Sequence, residues 1–121
     1  MTNTIKLTDK ETEVLDVIYH ITLNENSIKR EYLKQDDLDW LIEDARAYVD
    51  AFDVKQYLQY RDIWQNMKSV GGVLTSLQSK GLIFADETVE SNLTLMQFGI
   101  EPSGIEIVFN KDMEKFHYPS S

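Results

Sequence analysis

Residues 69–84 read SVGGVLTSLQSKGLIF, a stretch in which a helix gives way to a strand. Its apolar residues recur at the spacing of one helix face: they are Val70, Val73, Leu74 and Leu77. Lys80 places a cation in the last turn, and Gly81 can adopt the left-handed conformation that ends many helices. The apolar residues 82–84 then have strand composition. We therefore predict a helix over residues 66–80 that is followed directly by a strand.

Two adjacent glycines lie inside this predicted helix. Gly71 and Gly72 each cost roughly 1 kcal/mol relative to alanine in a helix interior. Either the pair lets a backbone or a ligand approach closely, or it marks a turn and the helix begins at Val73.

A first helix is indicated near the N-terminus. Thr8 can cap it, and Glu11 stands three residues later, as in a capping box. Buried-type side chains follow at helical spacing: Val14, Leu15, Ile18, Tyr19 and Thr22. Residues 24–27 are turn-forming and end the helix.

The middle of the chain allows more than one interpretation. Residues 28–34 fit either a short strand or a helical turn. Asp36 or Asp37 can cap a second helix. Its apolar stripe would consist of Leu38, Leu41, Ile42, Ala45, Tyr48, Val49 and Phe52. A third helical pattern begins near Asp53, which either caps that helix or lies inside one long, bent helix.

The C-terminal part reads as a hairpin-type unit. Residues 86–92 are polar and turn-rich, and residues 93–100 are apolar but of uncertain type. Residues 101–104 form a strong turn signal, and residues 105–109 alternate like a strand. We expect the tail, residues 111–121, to be loosely ordered.

The composition fits one small domain over residues 1–121. Hydrophobic residues make up 42% of the chain, enough for one core and too many for a disordered segment. The absence of cysteine excludes a disulfide scaffold and thiol catalysis. No apolar run reaches the length of a membrane span and the N-terminus lacks the core of a signal peptide. We therefore expect a cytoplasmic protein with no membrane partner.

The net charge of −9 is unevenly distributed. Residues 1–35 carry 5 basic and 6 acidic side chains, and residues 36–53 carry 1 basic and 7 acidic side chains. Residues 54–84 carry 4 basic and 1 acidic side chains, and residues 85–121 carry 2 basic and 7 acidic side chains. The total charge repels nucleic acid at long range, but residues 63–85 contain no acidic side chain.

The order of elements resembles winged helix-turn-helix proteins of the bacterial and phage transcriptional-regulator type. In that family the recognition helix commonly ends in a leucine, two or three polar residues, a Lys-Gly pair and a Leu-Ile or Leu-Val that opens the wing. Residues 69–83 match this pattern, and residues 7–15 look like the first helix of such regulators. The resemblance covers residues 7–22 and 66–110. It implies a mainly α fold with a small β-hairpin, of the α+β class.

The resemblance also implies that the helix at 66–80 reads DNA from the major groove. The residues expected to bind DNA are Lys68, Ser69, Gly72, Thr75, Ser76 and Ser79. A lysine can neutralise a phosphate, a hydroxyl can bond a phosphate or a base edge, and a glycine admits the backbone closely. We expect a small regulator or accessory factor. A small polar face of this kind is equally suited to solvent or to packing against another helix.

The acidic residues support an alternative function. The hairpin after Phe84 carries acidic side chains where a DNA-contacting wing favours lysine or arginine: Asp86, Glu87 and Glu90. Asp39, Glu43 and Asp44 have spacings that share a helix face, although a solvated face is the commonest origin of such runs. The alternative is an acidic protein-interaction module, or a DNA mimic, that binds a basic protein partner. Winged-helix regulators often dimerise outside the reading unit, and residues 36–64 are the candidate homodimer interface.

Nothing in the sequence indicates an enzyme, a metal site or a cofactor. His20 and His117 are isolated and lack metal-ligand spacing. No nucleophile–base set, phosphate loop, EF-hand or H-E-x-x-H motif is present. We therefore expect neither catalysis nor a bound metal or cofactor.

Overall fold

The computed structural model describes residues 6–60, 70–90 and 93–116. The fold is mainly helical with a small antiparallel sheet of three strands, which confirms the α+β class. In chain order the helices and strands are α1 (Asp9–Glu25), α2 (Leu38–Asp44), β1 (Val49–Asp50), α3 (Ala51–Tyr60), α4 (Val70–Ser79), β2 (Ile83–Glu90), β3 (Leu93–Ile100) and α5 (Pro102–Phe116). Two short 3-10 turns, Arg30–Tyr32 and Gln35–Asp37, precede α2.

The predicted capping box begins α1. The Thr8 hydroxyl accepts from the Glu11 amide at 3.1 Å, and the Thr8 amide donates to Glu11 Oε1 at 2.8 Å. Two of the four amides that a helix N-terminus leaves unpaired are typically satisfied in this way. The buried face of α1 is the centre of the core: Val14, Leu15, Val17, Ile18, Tyr19, Ile21 and Leu23. Helices α3, α4 and α5 and the strands β1 and β3 all contact α1.

The sheet has the strand order β1-β3-β2. Strands β2 and β3 form a hairpin in which Ile83 pairs with Ile100 and Glu90 pairs with Leu93. Strand β1 lies on the other side of β3, with Val49 opposite Phe98. The segment 93–100, whose type the sequence left open, is therefore the central strand.

The predicted strand at residues 105–109 is wrong, because these residues lie inside α5. The local alternation of Ile105 and Ile107 indicated a strand. Helical spacing decides the outcome, because Ile105, Val108 and Phe109 are buried together while Ile107 is only partly buried. Pro102 occupies the first helical position, where its missing amide proton costs nothing.

The structure also differs from the prediction for the tail. Residues 111–116 continue α5, and the Asp112 and Met113 side chains are buried. The expectation of a loosely ordered segment is therefore wrong for residues 111–113. Residues 117–121 lie outside the described part of the chain.

The middle of the chain is divided into shorter elements than its apolar pattern predicts. Residues 28–34 contain one 3-10 turn and no strand. Helix α2 ends at Asp44, so the predicted stripe to Phe52 is interrupted by residues 45–48 and by β1. Asp53 neither caps a helix nor lies in one long helix, because it stands in the first turn of a separate α3.

An ion-pair cluster ties α5 to α1. The Arg30 guanidinium donates from Nε to Asp112 Oδ2 at 2.6 Å and from its terminal nitrogen to Asp16 Oδ1 at 2.6 Å. It also lies over the Tyr19 ring, 4.9 Å from the centroid. Burial opposes the charge of Arg30, and the hydrogen bonds to the two carboxylates outweigh burial and raise its pKa. The cluster therefore keeps its charges inside the fold.

Gly104 permits a close crossing of α5 over the start of the hairpin. A Cβ atom there would overlap the Leu82 carbonyl oxygen and press on Ile100 and Leu15. The glycine that looked like part of a turn is in fact a packing requirement between α5, β3 and α1.

Gly81 has the positive φ predicted for the end of α4, at 74°. A Cβ atom there would meet nothing within 4 Å, so only backbone conformation restricts this position. We predict that Gly81→Val lowers the free energy of unfolding by about 2 kcal/mol, because a β-branched residue is strained in this region. Gly81→Asn should cost under about 1 kcal/mol, because asparagine tolerates the left-handed conformation. Urea unfolding of the two variants measures the difference, and equal losses would contradict the capping role.

Candidate functional site

Helix α4 presents two distinct faces. Val70, Leu74 and Leu77 are buried, as the apolar spacing predicts, and Val73 is partly buried. The opposite face is exposed and consists of Gly71, Gly72, Thr75, Gln78 and Ser79. We call these five residues the α4 outer face. Residues 70–79 contain no acidic side chain, so this face lacks the charge that most directly opposes a phosphate.

The glycine pair belongs to the helix itself. Helix α4 begins at Val70, so Gly71 and Gly72 do not mark a turn before a helix that starts at Val73. Among the described residues, nothing lies within 4 Å of a Cβ atom built on either glycine, and neither has a positive φ. Neither packing against the described residues nor backbone conformation therefore requires glycine here, although each glycine costs about 1 kcal/mol of helix stability.

The predicted DNA-binding residues are only partly brought together. Gly72, Thr75 and Ser79 share the exposed face. The Thr75 hydroxyl donates to the Gly71 carbonyl at 3.0 Å, which leaves its lone pairs available to an external donor. Lys68 and Ser69 lie outside the described residues.

Ser76 faces α1 instead of the outer face. Its hydroxyl donates to Glu11 Oε2 at 2.6 Å. Lys80 reaches the same carboxylate, with Nζ 2.9 Å from Glu11 Oε1, and also donates to the Lys6 carbonyl at 3.0 Å. The first cation after the outer face is therefore engaged within the protein.

The carboxylate of Glu11 joins the start of α1 to the end of α4. It is buried, and the Lys80 ammonium, the Ser76 hydroxyl and the Thr8 amide all donate to it. The hydrogen bond from Lys80 is the largest influence, followed by that from Ser76, and together they lower the pKa of Glu11 to about 2. The sequence identified Glu11 only as a capping residue. Its contact with α4 joins residues 65 positions apart, which local spacing does not reveal.

The hairpin that follows α4 adds no positive charge. Residues 81–110 contain no lysine or arginine. Asp86 of β2 is exposed, and Glu87 and Glu90 follow it in the same strand. The hairpin is therefore unsuited to neutralise phosphates, as its sequence indicated.

The acidic residues proposed for a protein partner are accessible. Asp39, Glu43 and Asp44 are all exposed on α2. Arg46 follows them and donates from Nε to the Glu43 carbonyl at 3.3 Å. This arrangement leaves the three carboxylates at the surface, where they can contact a cationic partner.

Metal-binding chemistry finds no support in the described part of the chain. No group of three or more potential ligands stands close enough there to hold a metal ion. His20 packs edge to face with Tyr57 at 5.5 Å between ring centroids, and His117 lies outside the described residues. Among the described helices, none is long and apolar enough to cross a membrane.

Comparison with known proteins assigns no family to the chain. No protein-family model matches it, and no curated protein matches it significantly.

We predict that Glu11 contributes stability that is lost in acid. A lowered pKa stabilises the fold above pH 4.5, and this contribution disappears as the pH falls from about 4.5 to about 2. Glu11→Gln should lower the free energy of unfolding at pH 7 by about 1–3 kcal/mol. The variant should also lose less stability than the native protein between pH 5 and pH 2, because it lacks the titrating group. Chemical denaturation of both proteins across this range measures how the free energy of unfolding changes with pH. The same pH dependence in both proteins would contradict the role of Glu11.

Proposed function

We propose that this protein is a winged helix-turn-helix DNA-binding regulator or accessory factor that contacts DNA through residues 66–80. The observation that carries the proposal is the α4 outer face, which is exposed, free of carboxylates and built on two glycines that no contact with the described residues requires. The order of elements adds support, because α4 packs on α1 and leads directly into the β2–β3 hairpin.

The α4 outer face offers a specific mode of contact. Glycine at positions 71 and 72 lets a nucleic-acid backbone or base edge approach the helix more closely than any side chain would permit. Thr75 and Ser79 then supply hydroxyl groups for phosphates or base edges, and Lys68 supplies a charge for one phosphate. The core contacts of Leu74 and Leu77 hold the hydroxyl groups of Thr75 and Ser79 on a rigid element.

Charge limits the strength of this binding. The chain carries −9 overall, and Lys80 is already bound to Glu11. Binding should therefore depend weakly on salt. The logarithm of the binding constant should fall with the logarithm of the salt concentration, with a slope of about −1 per phosphate that the protein neutralises. Affinity away from a cognate sequence should be low, so specific contacts must provide most of the binding free energy.

The glycine pair gives the sharpest test. Gly72→Ala should raise the free energy of unfolding by about 0.5–1 kcal/mol, because alanine favours a helix and its Cβ meets no neighbour in the described part of the chain. The same change should lower DNA affinity at least about tenfold, because the methyl group holds the duplex away from the helix. A selection of genomic fragments at low salt supplies the DNA, and fluorescence anisotropy measures the affinity.

A matched control separates helix stability from DNA contact. Asn110 is exposed in α5, and Asn110→Ala also exchanges a weaker helix former for alanine. This control should gain stability and keep its DNA affinity. Unchanged DNA affinity of Gly72→Ala, or failure of the native protein to enrich any fragment at low salt, would contradict the proposal.

Side-chain variants distinguish the two kinds of contact. Lys68→Ala should weaken binding to all sequences, as loss of a phosphate contact does. Thr75→Ala and Ser79→Ala should change the preference among sequences. Ser76 lies against Glu11, so the effect of Ser76→Ala should appear first in stability.

The second candidate is an acidic interaction module, or a DNA mimic, on the same fold. Two observations favour it: the engaged Lys80 and the thirty-residue stretch 81–110 without a cation. In this proposal the exposed carboxylates of Asp39, Glu43 and Asp44 contact a basic protein partner. Dimerisation through residues 36–64 and a cytoplasmic location remain parts of both proposals.

Charge reversal on α2 tests the second candidate. Replacing Asp39, Glu43 and Asp44 together by lysine should abolish capture of the basic partner and leave the fold intact, because all three side chains are exposed. A pull-down with quantified recovery measures the loss, and circular dichroism checks the fold. If the charge-reversed variant still captures the same partner, the α2 carboxylates are not its binding site.

A further inference from the structure

The sheet has one face against the core and one face turned away from it. Val49 of β1 and Phe98 of β3 pair with each other and are both buried. Side chains alternate along a strand, so Asp50 and Gln97 project from the opposite face, in register with Asp86 of β2. We call the surface formed by Tyr48, Asp50, Phe84, Asp86 and Gln97 the outer sheet face.

An aromatic pair occupies the centre of the outer sheet face. The Phe84 ring lies over Gly99 so closely that a Cβ atom there would overlap it. The Tyr48 ring meets Phe84 edge to face, with 6.1 Å between centroids and 88° between planes. Tyr48 is nevertheless 57% exposed. Much of the Tyr48 ring therefore stands in solvent beside a second ring, with no described element covering it.

Two carboxylates lie in the row of residues next to the aromatic pair, because Asp50 and Asp86 both pair with Gln97. Asp86 is exposed two residues beyond Phe84, on the same side of β2. Asp50 is partly buried, and its Oδ1 atom is fully buried without a hydrogen-bond partner. An acceptor left unsatisfied in this way costs free energy, which a nearby cation would offset through its field. Four of the five residues of this face, Tyr48, Asp50, Asp86 and Gln97, belong to residues 36–53 and 85–121, the two most acidic segments of the chain.

A pocket of about 130 Å³ opens beside the aromatic pair. It is lined by Ala45, Arg46, Ala47, Tyr48, Phe84 and Ile100. Its lining is mainly apolar, and cavities of this size can accept a benzene-sized group. Arg46 is the single cation of the lining, and its Nε is held by the Glu43 carbonyl.

We propose that the outer sheet face binds a basic, partly apolar segment of a protein partner. A lysine or arginine side chain lies against the rings of Tyr48 and Phe84 and pairs with Asp86, while a neighbouring apolar side chain enters the pocket. Aromatic faces attract cations, and arginine in particular stacks on them. The site uses no residue of α4, so it goes beyond the proposed DNA contact and is also distinct from the α2 surface.

The charge of this face disfavours two other occupants. Two outer sheet faces packed against each other would bring Asp86 of one copy toward Asp86 of the other, which is unfavourable. The proposed dimer would therefore have to form through other parts of residues 36–64. A nucleic acid would bring phosphates toward the same carboxylates. A basic segment is the occupant whose charge complements both acidic strands.

The test is a titration of the full chain with two peptides at low salt, and two-dimensional NMR monitors the binding. The peptide Arg-Leu-Arg-Leu-Arg should cause saturable shifts centred on Tyr48, Gly99 and Asp86. The control Glu-Leu-Glu-Leu-Glu should cause none. Asp86→Lys should raise the dissociation constant at least about fivefold, because it replaces an attractive charge by a repulsive one. Glu106→Lys makes the same charge change on exposed α5 and should alter the constant less than about twofold.

Two further variants test the aromatic and cationic parts of the site. Tyr48→Ala should raise the dissociation constant at least about threefold, and Tyr48→Phe should restore binding because it keeps the ring. Arg46→Ala should leave the affinity unchanged or increase it, because Arg46 repels a basic ligand. Weaker binding of the basic peptide to Arg46→Ala would show that Arg46 makes a favourable contact with the ligand, which the proposed charge complementarity does not allow, and would overturn the proposal. Equal losses in Asp86→Lys and Glu106→Lys, or shifts spread over α2 alone, would overturn it as well.

Discussion

The fold depends on one buried carboxylate that serves two elements at once. Glu11 completes the cap of α1 and receives hydrogen bonds from Ser76 and Lys80 of the α4 region. A buried charge is costly unless its hydrogen bonds are satisfied, and here three donors satisfy it. The angle at which α4 lies on α1, and therefore the surface that α4 shows to solvent, is held by this residue as well as by apolar packing.

Local sequence signals predicted the elements whose cause is local. The capping box of Thr8 and Glu11 and the left-handed Gly81 both depend on residues within one helical turn, and both are present. The apolar spacing of α4 also identified its buried face. A short, regular pattern with its own start or stop signal can be read without knowing the rest of the fold.

The sequence-based predictions fail where contacts between residues far apart in the chain determine the structure. Residues 105–109 alternate like a strand, but burial against α1 and α2 selects a helix. Ser76 was assigned to the polar face, whereas Glu11, far away in sequence, draws it inward. The outer sheet face was equally invisible, since it requires the pairing of β1 with β3 and the place of Tyr48 beside Phe84. The periodicity of apolar residues along the chain does not predict these long-range contacts.

The ion pair between Arg30 and Asp112 also constrains the order in which the molecule assembles. It joins residues 82 positions apart, whereas the contact of Arg30 with Asp16 spans only 14. During synthesis Arg30 and Asp16 can meet early, and the second carboxylate arrives only when α5 has emerged. Contacts of such long range slow folding, because the intervening chain must be ordered before they form. In the folded protein the Tyr19 ring covers one side of the guanidinium that the two carboxylates share.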